Sequence, residues 1–209
     1  ADISKLNIDF ILSFNYTHTF SKLYKVSNKL KKENVHLFDY VHGETSSINT
    51  IETNNMVLGI DEYLSEDRKN RDLDFVAFKK YYQRIYKDTS CEYKKWVKEI
   101  QNKYKRYRKY VNYWGSRISE ARNKGDYRTA SRLDGKMNKY IEQYNIDNVY
   151  IFGHSLDVTD KDILRELILT DNVHTTIFYH SKKIKGQQIA NLVKVIGQDE
   201  LIRRTYGET

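Results

Sequence analysis

The stretch FILSFNYTHTF, residues 10–20, places a short apolar run directly before a cluster of polar side chains. Residues 10–14 predict a buried strand because they are apolar and rich in aromatic and β-branched side chains. Asn15, Tyr16, Thr17, His18 and Thr19 follow without the Gly or Pro that usually makes a turn. Such a strand end either delivers Asn15 to a ligand or uses Thr17 or Thr19 to cap the next helix. Both interpretations stay open at this point.

Strands and helices alternate on both sides of this stretch. Between residues 1 and 61, apolar runs at 10–14, 35–43 and 56–60 predict strands, with a helix in TFSKLYKVSNKLKK (19–32). Residues 146–209 predict the order strand, helix, strand, helix, with Thr159 as the N-cap of the first helix. The four predicted elements are 148–156, 159–169, 173–181 and 186–197. This order is typical of an α/β, Rossmann-like fold with a partial parallel sheet.

The middle region, residues 62–145, differs from the rest of the chain. It holds 22 Lys and Arg against 12 Asp and Glu, and 12 of the 18 tyrosines. Apolar and aromatic residues recur every three or four positions, which predicts two long helices. Gly125 suits the position after the first helix, and Asp126 suits the N-cap of the second. We therefore predict a helical-hairpin insertion (62–145) in an α/β core made of residues 1–61 and 146–209. The two predicted stripes are Trp96, Ile100, Tyr104, Tyr107, Val111, Trp114 and Ile118, and Tyr127, Ala130, Leu133, Met137, Ile141 and Tyr144.

The composition restricts the class of protein. The 209 residues are 39% hydrophobic and 13% aromatic, which is enough for a core and excludes wholesale disorder. The lone Cys91 cannot form an intramolecular disulfide, and no apolar run approaches the ~18 residues of a membrane helix. We therefore predict a cytoplasmic protein. The net charge of +8 favours polyanion or nucleotide partners.

Three polar clusters follow predicted strands: FNYTHT (14–19), VHGE (41–44) and FGHSLDVTD (152–160). Ligands of open α/β sheets bind at the carboxyl ends of the strands, so the three clusters are expected at one edge. Each cluster alone is weak evidence, because a His after a strand is more often structural. GHSL lacks the second Gly of a serine-hydrolase elbow, where Asp157 stands instead. The histidine spacing and single Cys predict no metal site.

Taken together, the motifs resemble a known family. FNYTHTFSKLY, VHGE, VLGIDEYL, FKKYYQRIY with EYKKW, and FGHSLDVTDKDIL followed by TIFYHS are similar to the AbiH family of bacteriophage abortive-infection proteins. The resemblance covers most of the chain and extends remotely to the sirtuin-like NAD-binding fold. Proteins of this family begin with a strand and a glycine-rich turn similar to GNGFDL, which is absent here. We therefore expect the chain to be a fragment that lacks its N-terminal part.

The resemblance implies an antiphage effector that responds to a phage-encoded trigger and cleaves the nicotinamide–ribose bond of NAD, its substrate. His42 matches the His-Gly position and would be the catalytic base. Asn15 matches the Asn position and would orient ribose or water. Gly153 and Ser155 would approach the nucleotide, and Asp160 would hold a ribose hydroxyl or cap the next helix. His18 and His154 are secondary candidates.

The basic insertion favours a different class of function. KYKRYRKYVNYW (103–114) interleaves tyrosines with Lys and Arg, which is typical of nucleic-acid binding. On a helix, however, these tyrosines align with the apolar stripe, so they also suit a core or an oligomer contact. We therefore expect a homo-oligomer, and we keep non-catalytic nucleic-acid or nucleotide binding as the alternative function.

Overall fold

The computed structural model describes residues 6, 8–23, 38–59 and 73–206, and it has an α/β architecture. The elements, in chain order, are β1 (Ile11–Ser13), α1 (Thr19–Leu23), β2 (Phe38–Tyr40), α2 (Leu73–Val76), α3 (Lys80–Tyr86), α4 (Tyr93–Asn123), α5 (Tyr127–Gln143), β3 (Asp147–Ile151), a 3₁₀ turn (Val158–Asp160), α6 (Lys161–Ile168), β4 (Val173–Ile177), α7 (Lys182–Ile196) and α8 (Gln198–Tyr206). Within these ranges no helix is long and apolar enough to cross a membrane.

The described strands form two parallel pairs. β1 pairs with β2, with Ile11 opposite Phe38, and β3 pairs with β4, with Asp147 opposite Val173. The helix α6 connects β3 to β4, as a parallel pair requires. The α/β class and the parallel pairing are therefore confirmed.

The predicted strand at 56–60 is wrong over residues 56–59, which form no regular element; residue 60 lies outside the described part. The physical reason is that side chains take the backbone hydrogen bonds a strand would use. The Gln83 side chain accepts from the N–H of Leu58 and donates to its carbonyl oxygen, each at 2.9 Å. Lys87 donates to the Met56 carbonyl oxygen. Of the strand predicted at 35–43, residues 35–37 lie outside the described part and 38–40 form β2. The prediction is wrong at 41–43, because the chain turns there and the Gly43 N–H donates to the Tyr40 carbonyl oxygen at 2.8 Å.

Several boundaries in the C-terminal region also differ from the predictions. The predicted cap at Thr159 is wrong, because the Asp157 side chain accepts from the Thr159 N–H and a 3₁₀ turn precedes α6. β4 ends at Ile177 rather than at residue 181. Helix α7 begins four residues earlier than predicted because the Ser181 hydroxyl caps it by accepting from the Ile184 N–H.

Helix α8 was not predicted. The predicted helix at 19–32 is described only as α1, and its remainder lies outside the described residues.

Phe14 lies where the two parallel pairs meet. It packs against one cluster built around Leu156, Leu164 and Val195, and against another built around Val41 and Tyr93. Helix α6 contributes buried residues to both clusters. The end of β1 is therefore at the centre of the fold, which is why the polar residues after Phe14 lie close to the other strand ends.

The helical hairpin is confirmed, with its turn as predicted. Gly125 has φ +73°, a left-handed conformation that suits glycine, and its N–H donates to the Arg122 carbonyl oxygen. The Asp126 carboxylate accepts from the Thr129 N–H at 3.0 Å and caps α5. The pKa of Asp126 lies below its usual range because of this bond.

The tyrosines of the hairpin pack mainly between its two helices. The Tyr107 ring lies 3.9 Å from that of Tyr144, and Tyr110 lies 3.8 Å from Tyr140, measured between ring centroids. Two members of the predicted stripe are wrong, because Ile141 is 36% exposed and Tyr127 is 72% exposed. The sequence pattern placed Tyr127 at the first residue of α5, where it faces away from α4 and Tyr140 packs inward instead.

A side chain from β2 caps the longest helix. The fully buried Asp39 carboxylate accepts from the Tyr93 N–H at 2.8 Å, whereas Glu92, at the N-cap position itself, makes no such bond. Burial raises the pKa of Asp39, and the Tyr93 bond opposes this rise. Asp39 therefore fixes the start of α4 against the sheet, since a carboxylate stabilises the positive end of a helix.

Candidate active site

The turns after β1 and β2 are joined by backbone hydrogen bonds. The Thr45 N–H donates to the Tyr16 carbonyl oxygen at 2.7 Å, and the Val57 N–H donates to the His42 carbonyl oxygen at 2.8 Å. Two of the three polar clusters are thereby held side by side at the carboxyl ends of a parallel strand pair, as expected from the sequence.

The third cluster meets them through Asp160. His42 Nε2 lies 2.9 Å from Asp160 Oδ1, and the two residues are 2% and 3% exposed. A carboxylate at this distance favours the ring proton on Nε2, so the Nδ1 atom of His42 is left with a lone pair. Within the described part of the chain, Nδ1 is buried and has no hydrogen-bond partner, and the Nε2–Oδ1 contact is a close ion-pair contact without hydrogen-bond alignment. A histidine oriented by a carboxylate, with its second nitrogen unsatisfied, is an arrangement suited to accepting a proton.

His154 is the second histidine of this cluster. Its Nε2 lies 3.5 Å from Asp160 Oδ2, while its Nδ1 accepts the Leu156 N–H at 2.8 Å. Because Nδ1 accepts, the neutral ring carries its proton on Nε2, facing the carboxylate. The Phe14 ring packs edge-on against both His42 and His154, with ring centroids 5.4 and 4.3 Å away.

Asp160 was predicted either to hold a ribose hydroxyl or to cap α6. It occupies the N-cap position, but its side chain makes no capping bond and instead contacts His42, His154 and Lys80. Burial alone would raise the pKa of this carboxyl, but the bonds from His154, His42 and Lys80 outweigh burial and hold the pKa well below its usual range. Asp160 is therefore a buried anion at the centre of the cluster.

The turn that carries His154 is fixed by two left-handed residues. Gly153 has φ +62°, and Leu156 has φ +60°, which is uncommon for a residue with a side chain. Leu156 is fully buried in the core, and this anchors the turn. Gly153 and Ser155 are exposed, and a Cβ built on Gly153 would meet nothing within 4 Å. Both residues therefore lie on the outer side of the buried histidines.

Asn15 is exposed and directly follows Phe14, the residue between the two histidines. Its backbone N–H and carbonyl oxygen both bond to the Ser13 hydroxyl, at 3.2 and 3.1 Å, which fixes the turn. The Thr17 and Thr19 hydroxyls bond to each other at 2.7 Å. Asn15 therefore lies exposed directly after Phe14, whose ring contacts both histidines.

His18 belongs to a separate group on the same edge. Its Nδ1 lies 3.0 Å from the Tyr40 hydroxyl, and its Nε2 lies 3.5 Å from a Glu44 carboxylate oxygen. Burial, and then the charge of Glu44, raise the pKa of Tyr40. His18 is therefore oriented by its neighbours, but it lies outside the cluster around Asp160.

Sequence reasoning missed two members of the site. Lys80 Nζ lies 2.8 Å from Asp160 Oδ2, although Lys80 precedes Asp160 by 80 residues, and no local pattern relates the two. The Tyr16 hydroxyl donates to the Val57 carbonyl oxygen, and its pKa is raised by burial and by the charge of Asp160. The described residues contain no group of three or more His, Cys, Asp or Glu that could hold a metal ion.

Fold and site together define an α/β protein with a buried histidine–aspartate pair at the carboxyl ends of its parallel strands. The model of the family described as bacteriophage abortive infection AbiH matches residues 1–180. The chain belongs to this family, and the membership indicates a role in abortive infection, a defence against phage. Comparison with curated proteins and with solved structures gives no match.

Proposed function

We propose that this protein is an antiphage effector with a sirtuin-like nucleotide site that hydrolyses the nicotinamide–ribose bond of NAD. The observation that carries the proposal is the His42–Asp160 pair, 2.9 Å apart, with the second ring nitrogen of His42 unsatisfied. Asp160 orients His42, and Asn15 orients ribose or water at the rim. The exposed Gly153 and Ser155 lie where a nucleotide would approach the turn.

The reaction balances with water as its only co-reactant. The bond between the nicotinamide nitrogen and ribose C1′ breaks, and nicotinamide leaves as a neutral molecule with the bonding electron pair. C1′ passes through an oxocarbenium-like state and gains an oxygen from water, whose proton goes to His42 Nδ1. A positioned base of this kind contributes about 10²–10⁴-fold to the rate. The products are nicotinamide, ADP-ribose and one proton.

Access to His42 requires movement, because the residue is only 2% exposed. The side chains around it include Phe14, from the turn after β1, and Lys80, which reaches Asp160 from α3. In the proposed reaction, the turn that carries Phe14 moves aside when NAD binds, and Lys80 keeps its contact with Asp160. A buried, closed site suits an effector that stays inactive until phage infection.

The test is to incubate the protein with NAD, with and without extract from phage-infected cells, and to follow nicotinamide release. We expect release that falls about 100-fold in His42→Ala, since the base is lost, and also falls in Asn15→Ala. Asn148→Ala is the matched control: its side chain is exposed and its amide donates to the Ile146 carbonyl oxygen, so release should change less than threefold. Intact NAD under all conditions, with folded protein, would refute NAD hydrolysis.

One observation favours a second candidate function, the binding of nucleic acid by the hairpin. Residues 93–143 carry 15 Lys and Arg against five Asp and Glu. Most tyrosines of the hairpin are packed against other rings, as with Tyr107 and Tyr144, which agrees with the interpretation that they belong to its core. Lys105, Arg106 and Lys109 are exposed on α4, so this binding would use phosphates rather than bases.

Charge reversal tests this candidate. Changing Lys105, Arg106, Arg108 and Lys109 to Glu should weaken binding to a single-stranded oligonucleotide more than tenfold at low salt and flatten its salt dependence. Reversal of Lys182 and Lys183, exposed lysines outside the hairpin, should have a much smaller effect. Equal affinity of the hairpin variant and the unmodified protein would exclude this function.

A further inference from the structure

Helix α3 faces the core with its polar side and solvent with its apolar side. None of its residues is buried, and Ile85 and Tyr86 are each 77% exposed. The side chains that reach inward are polar and recur at helical spacing. They are Lys80, which contacts Asp160; Gln83, which bonds Leu58; Arg84, which contacts Asp162; and Lys87, which bonds Met56. Polar contacts, not a hydrophobic stripe, therefore hold α3 against the site.

Lys80 is the one of these side chains that contacts Asp160. Its Nζ lies 2.8 Å from Asp160 Oδ2, with 17% of the Lys80 side chain exposed against 4% of the Asp160 side chain. Its aliphatic stem passes over Gly59, where any Cβ would overlap the stem. The glycine thus leaves room for Lys80 to place a positive charge where solvent is nearly absent.

Several groups from different elements contact the charged carboxylate of Asp160. Oδ1 contacts His42, at the end of β2, and Oδ2 contacts both Lys80, from α3, and His154, after β3. Tyr16, after β1, also senses the Asp160 charge. Lysine is the one fixed cation among these groups in the described part of the chain. Without it, a proton on a neighbouring histidine or on Asp160 itself would have to balance the buried charge, because an unpaired buried charge is costly.

We propose that Lys80 is a positioning residue of the site that neutralises Asp160 and thereby keeps His42 and His154 unprotonated. This role of Lys80 deepens the proposed function. Its effect on catalysis rests on that function, because only a neutral His42 can accept a proton from water. The role brings a residue of the helical insertion into the chemistry of the α/β core. Lys80 acts through the electrostatic field of its positive charge on Asp160 and on the two histidine rings.

The proposal predicts a change in histidine titration that does not depend on NAD cleavage. The ring C–H signals of His42 and His154 are followed by NMR against pH in the unmodified protein and in Lys80→Met. We expect the proton affinity of both rings to rise at least tenfold when the cation is lost. Lys80→Arg, which keeps the charge, should restore the original affinity, and Lys80→Gln, which keeps only a donor, should behave like Lys80→Met.

Lys161→Met is the matched control. Lys161 adjoins Asp160 in sequence but is exposed, so its charge is screened and both affinities should change less than twofold. Folded Lys80→Met or Lys80→Gln protein with unchanged histidine titration would overturn the proposal. If the titration moves but NAD is never cleaved, the role of Lys80 stands and the proposed function fails. If NAD is cleaved, the pH–rate profile of Lys80→Met should shift to higher pH by the same factor.

Discussion

Asp160→Ala is expected to lower the free energy of unfolding by about 3–5 kcal/mol, because it removes the anion from a buried set of paired groups. The carboxylate contacts His42, Lys80 and His154 within 3.5 Å, so Lys80 would lose its counter-charge and both histidines would lose their polar partner. Their remaining environment is largely shielded from water, so solvation cannot replace the lost interaction. Urea unfolding at pH 7 measures the effect.

The same carboxylate gives the protein a sensitivity to acid. Its pKa is lowered in the folded state relative to the ordinary value of 3.8 in the unfolded chain. The unfolded chain therefore binds a proton more readily, and the stabilisation by Asp160 is fully present above about pH 5 and is lost as the pH falls below about 4. We expect unfolding free energies at pH 3 and pH 7 to differ less in Asp160→Ala than in the unmodified protein.

The control for Asp160 is a carboxylate of the same type on the surface. The Asp134 side chain is 39% exposed and lies 4.0 Å from Arg122. Asp134→Ala should change the free energy of unfolding by no more than about 0.5 kcal/mol, as exposed pairs contribute little. A loss below 1 kcal/mol in Asp160→Ala would contradict the assignment of Asp160 as the central buried anion.

Gly43→Ala is expected to destabilise the protein by about 2–4 kcal/mol and to displace His42. Gly43 has φ +77°, and an added Cβ would lie less than 3.0 Å from three atoms of Asn55, two of them in the backbone. Asn55 cannot retreat without cost, since its side-chain oxygen accepts the Glu44 N–H at 3.2 Å. Left-handed strain contributes about 1 kcal/mol and the overlap about 1–3 kcal/mol.

Two other glycines separate these contributions. Gly125 has φ +73° but open space around it, so Gly125→Ala should cost only the strain, about 1 kcal/mol. Gly135 lies exposed within α5 with nothing near it, and Gly135→Ala should raise the free energy of unfolding by about 0.5–1 kcal/mol. Thermal or urea unfolding of the three variants gives the ranking. An equal loss of unfolding free energy in Gly43→Ala and Gly125→Ala would show that the overlap with Asn55 is relieved.

Elements whose formation depends on residues close together in the sequence could be predicted from the sequence. The hairpin, with Gly125 and Asp126 at its turn, could be predicted because helix stripes and caps depend on residues three or four positions apart. The polar ends of β1 and β2 were recognisable for the same reason. The predicted strand at 56–60 failed because Gln83, 25 residues further on, takes the backbone bonds of Leu58.

Local sequence patterns were enough to predict the α/β class, the basic hairpin, the family resemblance and the candidates Asn15, His42, Gly153, Ser155 and Asp160. Only the tertiary structure decided that Asp160 pairs with His42 rather than capping α6, that Asp39 caps α4 from a strand, and that Lys80 joins the site. The reason is distance along the chain. Local patterns encode helices, strands and turns, but a buried charge takes its partners from whichever elements the packing of the core brings within about 3 Å of it.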